Sequence, residues 1–314
     1  MSAFLPPLAA GLPDWLTWET IVDAIGLGAV YALMAVGIGL VFGVLRLINF
    51  AYGQLIMAGA FALAFASDRD WPVAAGIALC FAVVLGLSGA MELAVFRPLR
   101  TQSPAVMLVT TFAVAFLLQS AALLIDVRDG TLGETALSLA SLNRPTEVLG
   151  VEVRKVVIVS VAVAAVTLGL LVALLARTRI GLHLRAAAMD FRTARLLGVR
   201  ANTVISSAVL ISGLIAATVA VILTVQNPFV QSDYALKETI VVLVGVVVGG
   251  IDRLWTATLG GFAIGFASVV INAALPTDKT VFLPSVLFAL VIVVLLLRPG
   301  GLFARGRSSL LERV

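Results

Sequence analysis

The segment 43–60, "GVLRLINFAYGQLIMAGA", carries Arg46, Asn49 and Gln54 beside three glycines, Gly43, Gly53 and Gly59. Amide side chains and glycine-bared backbone can hydrogen-bond a solute reversibly, but they supply no nucleophile and no metal ligand. Bond-making chemistry is equally absent elsewhere. The three lysines, Lys155, Lys237 and Lys279, stand outside any Gly-x4-Gly-Lys-Ser/Thr loop, so the chain has no P-loop for ATP. No His/Cys/Asp/Glu cluster has metal-ligand spacing, and no Gly-x-Ser-x-Gly elbow accompanies the single histidine, His183. His183 has no acidic residue at i±3 or i±4 and reads as an ordinary solvated loop histidine. No cofactor, metal or nucleic acid is expected.

The elements that must carry these groups are apolar. Hydrophobic residues make up 61% of the 314-residue chain and charged residues 12%, against about a quarter charged in soluble domains. Apolar spans lie near 21–44, 48–66, 72–95, 104–125, 153–176, 203–225, 256–275 and 281–297. Their length suits helices crossing a hydrocarbon core of ~30 Å, and they do not alternate as membrane strands do. A shorter stretch at 239–250 either crosses too or is a half-helix buried against its neighbours. The expected fold is all-α: one domain, 1–314, forming a polytopic bundle of about eight spans plus one short or discontinuous segment. The first twenty residues lack a basic region and contain Pro6, Pro7 and Pro13, unlike a signal peptide. Cys80 lies inside an apolar run and reads as a small buried hydrophobe.

If every span crosses, 14 of the 21 Lys and Arg residues fall at one end of the bundle. Of the 17 acidic residues only Glu92, Asp190, Asp252 and Glu312 join them there. That end is expected in the cytoplasm with the C-terminus. The spans hold almost no ionisable group, Glu92 being the main exception, and it reads as a local ion-pair or headgroup neighbour. Proton or ion coupling through the spans is therefore disfavoured. The motif Gly-x-x-Arg-Leu-x5-Gly occurs twice, at 43–53 and 250–260, a weak internal repeat of the kind that marks transport pathways.

The longest Arg-rich loop spans 177–202. Between Gly181 and Gly198 it holds strong helix formers, and Leu184, Ala187, Ala188, Phe191 and Ala194 recur at helical spacing as a narrow apolar stripe. One reading is a basic helix on anionic lipid headgroups. The other lays its small-residue face in a groove of a cytoplasmic partner, which so much alanine favours. Gly198 fits a left-handed helix C-terminus.

Several segments resemble the permeases of branched-chain amino acid ABC importers. The run 26–60, with Leu47-Ile48-Asn49-Phe50-Ala51-Tyr52-Gly53, is similar to that family's Leu-x-Asn-Phe-Ala-x-Gly opening. "RAAAMDFRTARLLGV", "VVLVGVVVGGIDRLWTATLGGFAIGFASVV" and "LRPGGLFARG" resemble its later blocks, in order along nearly the whole chain. The compact N-terminus looks more like the H-type than the M-type permease subunit. Position 52 is often His or Gln in relatives and is Tyr here, and position 54 is often acidic and is Gln. The importer coupling motif Glu-Ala-Ala-x3-Gly reduces to Arg192-Thr193-Ala194-x3-Gly198, and Ala304 replaces a final Gly.

The resemblance implies an importer subunit for branched-chain or other hydrophobic amino acids in the bacterial inner membrane. It implies a second permease subunit, two cytoplasmic ABC ATPases and a periplasmic solute-binding protein as partners. The loop residues Leu184, Ala187, Ala188, Phe191, Ala194 and Gly198 would then couple to the ATPase. Asn49, Phe50, Tyr52, Gly53 and Gln54 would line a narrow uncharged passage, with the helix broken at Gly53. The alternative role of Asn49 and Gln54 is to bond neighbouring helices. Urea or short amides remain alternative solutes, and an ATP-independent channel or carrier remains the alternative class.

Overall fold

The computed structural model describes residues 15–46, 49–99, 102–129, 134–135, 145–148, 151–250, 253–298 and 301. The expectations for the first fourteen residues, for Leu47 and Ile48, for Asp252 in the second repeat copy and for the tail beyond Gly301 lie outside them.

The protein is a polytopic helical bundle. Helices occupy all eight apolar spans: α1 (Trp18–Leu45), α2 (Tyr52–Asp68), α3 (Val73–Met91), α4 (Pro104–Asp129), α5 (Lys155–Arg177), α8 (Ala201–Gln226), α10 (Leu254–Ala274) and α11 (Leu283–Leu297). The Arg-rich loop forms α6 (Arg179–Met189) and α7 (Phe191–Leu196), and the short stretch becomes α9 (Leu236–Gly249). Seven segments are long and apolar enough to cross a membrane. α2, at 17 residues, falls just short of them. α3 runs on through a π-helical turn, Glu92–Phe96, where Glu92 is buried. Two short antiparallel ribbons supplement the helices, β1 (Glu134–Thr135) with β4 (Phe229–Val230), and β2 (Pro145–Val148) with β3 (Val151–Arg154).

α1 is the central element. In its most apolar stretch 83% of residues are buried, against 11% in the segment containing α11. An inner helix of a membrane bundle needs small residues so that backbones can approach. A Cβ on Gly265 would stand 2.9 Å from Gly28 Cα, and one on Gly261 would stand 2.7 Å from the Tyr31 carbonyl oxygen. That close approach packs α10 along α1. α4, α5 and α11 turn leucine, valine and phenylalanine outward, as lipid-facing helices do. Cys80 is buried, and its thiol points to the Ala217 carbonyl at 3.8 Å.

Two contacts fix which helix ends lie together. Arg154, starting α5, pairs with Asp23 of α1 at 3.0 Å. At the opposite end the Arg46 guanidinium, just beyond α1, donates to the Ala188 carbonyl of α6 at 2.9 Å. That second end is the Arg-rich one.

Candidate functional site

The chain leaves α1 at Arg46, a left-handed cap (φ 54°) whose N–H donates to the Phe42 carbonyl at 2.7 Å. It re-enters helix at Tyr52, fully buried, with its hydroxyl against Gly37 in the middle of α1. Gly37 lies eight residues before the end of α1, about 12 Å along its axis. The elbow therefore doubles back, and α2 begins inside the bundle. Phe50 holds the elbow against α4, its ring edge-on to Phe112 at 5.6 Å.

α1 ends at Leu45 and α2 begins at Tyr52, so Gly53 is already helical and is not the point of discontinuity. Asn49, not Gly53, organises the re-entry. Its buried side-chain oxygen accepts from the Ala51 N–H at 3.1 Å and its carbonyl accepts from the Tyr52 N–H at 3.3 Å. Such an Asx-type turn competes with continued helix and leads the chain into α2. Gly53 serves close packing. A Cβ there would collide with the Thr239 hydroxyl and come within 3.2 Å of the Ala235 carbonyl oxygen.

Thr239 and Ala235 belong to the start of α9. The segment 227–235 turns inward from the end of α8, held by the Tyr234 hydroxyl donating to the Asn227 carbonyl at 3.0 Å. Ala235, left-handed at φ 63°, starts the helix among buried neighbours. Fourteen residues span about 21 Å, short of the ~30 Å hydrocarbon thickness. α9 is thus shorter than a full crossing, and its start packs against the start of α2.

Around this meeting point several buried polar atoms have no hydrogen-bond partner: the Tyr52 hydroxyl, Gln54 Oε1 and the Ser88 hydroxyl. Each such group costs about 1–3 kcal/mol. Ser212 donates to the Gly37 carbonyl at 2.8 Å, and its neighbour Gly213 packs on the Ser88 hydroxyl. A polar track therefore runs from Tyr52 across α8 to α3. Asn49 is engaged in capping, while Gln54 and Tyr52 keep unused polar capacity.

Toward the Arg-poor end the interior opens. Two adjoining cavities of ≈420 and ≈360 Å³ share Leu27, Tyr31, Gln226, Lys237 and Glu238. This vestibule was not legible beforehand. Its charged residues come from helix ends far apart in sequence, and Lys237 showed only as a lysine outside any glycine-rich loop.

At the Arg-rich end the expected single helix is two. Asp190 breaks it by capping α7, its carboxylate accepting from the Thr193 N–H at 3.1 Å. Gly198 closes α7 at φ 90°, as its position implied. Leu184, Ala187 and Ala194 of the apolar stripe are buried against the chain's own helices, and Ala188 and Phe191 are half-buried. The surface left for another body is different: Met189, Leu196 and Leu197 are 86%, 83% and 81% exposed. His183 is half-buried on α6.

The family model described as "Branched-chain amino acid transport system / permease component" matches residues 20–297. The chain belongs to this family. Among its relatives is the high-affinity branched-chain amino acid transport system permease protein LivH of Escherichia coli K12. It is 28% identical over 306 residues, covering 91% of this chain and 95% of that one. BraD of Pseudomonas aeruginosa, of the same description, is 28% identical over 296 residues, with the same two coverages. No solved structure gives a significant match. For a branched-chain amino acid permease family member, the matched stretch takes in the elbow, the short helix α9, the vestibule and α6–α7 together.

Proposed function

We propose that this chain is one membrane-spanning subunit of an ATP-binding-cassette importer for branched-chain or other hydrophobic amino acids. The observation that carries the reading is the permease-component match across residues 20–297, which leaves no element of the bundle outside it. The spans supply a nearly uncharged route, and a zwitterion crosses such a route without a fixed net charge trapping it. Energy then has to enter through the loops, because the sequence holds no P-loop. Two ATPase subunits, a second permease subunit and a periplasmic solute-binding protein complete the assembly.

On this reading the Arg-rich end and the C-terminus face the cytoplasm. The ATPase rests on the exposed Met189, Leu196 and Leu197 while the alanine stripe holds α6 and α7 to the bundle. Arg46 ties α6 to the elbow, so displacement of the coupling segment reaches the start of α2, where Tyr52, Gly53 and Gln54 stand.

The test is reconstitution of the whole complex in proteoliposomes with labelled leucine and labelled urea. Leucine uptake that needs both ATP and binding protein is expected. Uptake of urea without leucine would reassign the solute to amides. Uptake without ATP would overturn the importer mechanism.

A further inference from the structure

We infer that the vestibule at the Arg-poor end is a binding site for a small zwitterion, in which Lys237 takes the carboxylate and Glu238 the ammonium. The inference rests on the amino-acid permease reading and adds the residues that would receive the solute.

The cavity has a volume of ≈420 Å³, within the range of small-molecule sites of about 300–1,000 Å³. Four charged residues of both signs line it: Asp23, Arg154, Lys237 and Glu238. Asp23 and Arg154 satisfy each other at 3.0 Å. Lys237 and Glu238 have no hydrogen-bond or ion-pair partner among the described residues, and they are consecutive on one helical turn. They are the pair with unused capacity, and opposite charges side by side match a molecule whose own charges are one carbon apart.

Helix stability does not explain Lys237. It lies in the first turn of α9, where the backbone presents its positive end and a cation is disfavoured. Ala235 supplies no side-chain cap, and the carboxylates nearest that end are Glu238 in its first turn and Asp233, which lines the adjoining cavity. A bound carboxylate would relieve both the lysine and the uncapped turn. Leu27, Val241 and Leu287 form apolar wall in the same cavity, where an aliphatic side chain can bury. The same first turn of α9 packs on Gly53 through Thr239, so the site adjoins the meeting of the two helix starts.

The experiment uses the full complex carrying Cys80→Ala and a reporter cysteine at Asn272, which lines the cavity. An impermeant thiol reagent is added from the binding-protein side, with and without leucine. Leucine is expected to protect the reporter, while 4-methylpentanoate and isoamylamine, each lacking one of its charges, do not. Lys237→Gln and Glu238→Gln are each expected to raise the half-protecting leucine concentration by about threefold to fivefold, as loss of one partner of a solvent-accessible charge contact does. Lys237→Arg, which keeps the cation, is expected to restore protection, and a purely structural lysine would show no such dependence on charge. Protection unchanged in both neutral variants, or equal protection by 4-methylpentanoate, overturns the site. If the parental complex transports no leucine at all, the importer reading fails instead.

Discussion

The contact from Arg46 to α6 yields a prediction whose energetic and functional parts separate. Arg46 adopts φ 54°, a conformation costing about 1–2 kcal/mol for a residue with a Cβ. Its guanidinium donates to Ala188 O at 2.9 Å, a charge-assisted bond at the C-terminal end of α6. A hydrogen bond to a charged group contributes about 1.5–3 kcal/mol when buried, and this exposed one is closer to ~1 kcal/mol. Arg46→Ala therefore loses the bond and keeps the strain, and should destabilise the subunit by ~1 kcal/mol. Arg46→Gly loses the same bond but removes the strain, so the two terms offset and stability should stay near the parental value. Both variants lose the link between coupling segment and elbow. Thermal unfolding of the purified complex reads the first effect. Uptake per ATP hydrolysed in proteoliposomes reads the second. Expected is equal loss of coupling in both variants despite their different stabilities. If Arg46→Gly transports at the parental ratio, or if loss of transport simply follows loss of stability, Arg46 does not transmit movement.

Three other outcomes are expected. Gly53→Ala should sharply reduce uptake by forcing α2 from α9, and Thr239→Ala, which removes the hydroxyl that the new Cβ meets, should partly restore it; no rescue would mean that the close approach is not the constraint. Leu196→Glu with Leu197→Glu should abolish co-purification of the ATPase with little change in melting temperature, both side chains being over 80% exposed; retained ATPase would place the docking surface elsewhere. On the Cys80→Ala background, a cysteine at Lys279 should react with an impermeant thiol reagent from the periplasm and one at Leu197 only from the cytoplasm; labelling of both from one side would reverse the orientation argument.

The helical spans were legible because apolar length alone specifies them. Gly198 was legible too, since a glycine after a run of helix formers has few other uses. The position of the break was not. Three glycines drew attention to Gly53, but glycine between packed helices and glycine in a broken helix look alike in sequence. The deciding atom was the side-chain oxygen of Asn49, whose hydrogen bond to the Ala51 N–H is local yet depends on the elbow being formed. The alanine stripe of α6 and α7 showed correct amphipathic spacing, but spacing cannot tell whether small residues face a partner or the chain's own bundle. The burial of Leu184, Ala187 and Ala194 gives the second answer. Asp190 was counted as a charge when its cap to Thr193 was the signal that two helices were present. The vestibule was hidden for a different reason: Asp23, Arg154 and Lys237 become neighbours only through packing.

The two departures in the opening stretch acquire a physical meaning once the elbow is in place. Tyr52 and Gln54 flank Gly53 on the first turn of α2, both wholly buried, both with a polar atom that has no partner. Membrane bundles usually satisfy such atoms through neighbouring helices, and α8 shows how: Ser212 reaches the Gly37 carbonyl beside the Tyr52 hydroxyl and leaves that hydroxyl unused. In the proposed reading this closed arrangement is one of two. On that reading, movement of α6 carried by Arg46 to the elbow would shift the start of α2 against α9, and the vestibule beside the start of α9 would gain access to Tyr52 and Gln54. On the same reading, the cost of leaving these groups unpaired, about 1–3 kcal/mol each, would lower the work that opening requires. A fully satisfied core at this point would be more stable and harder to open.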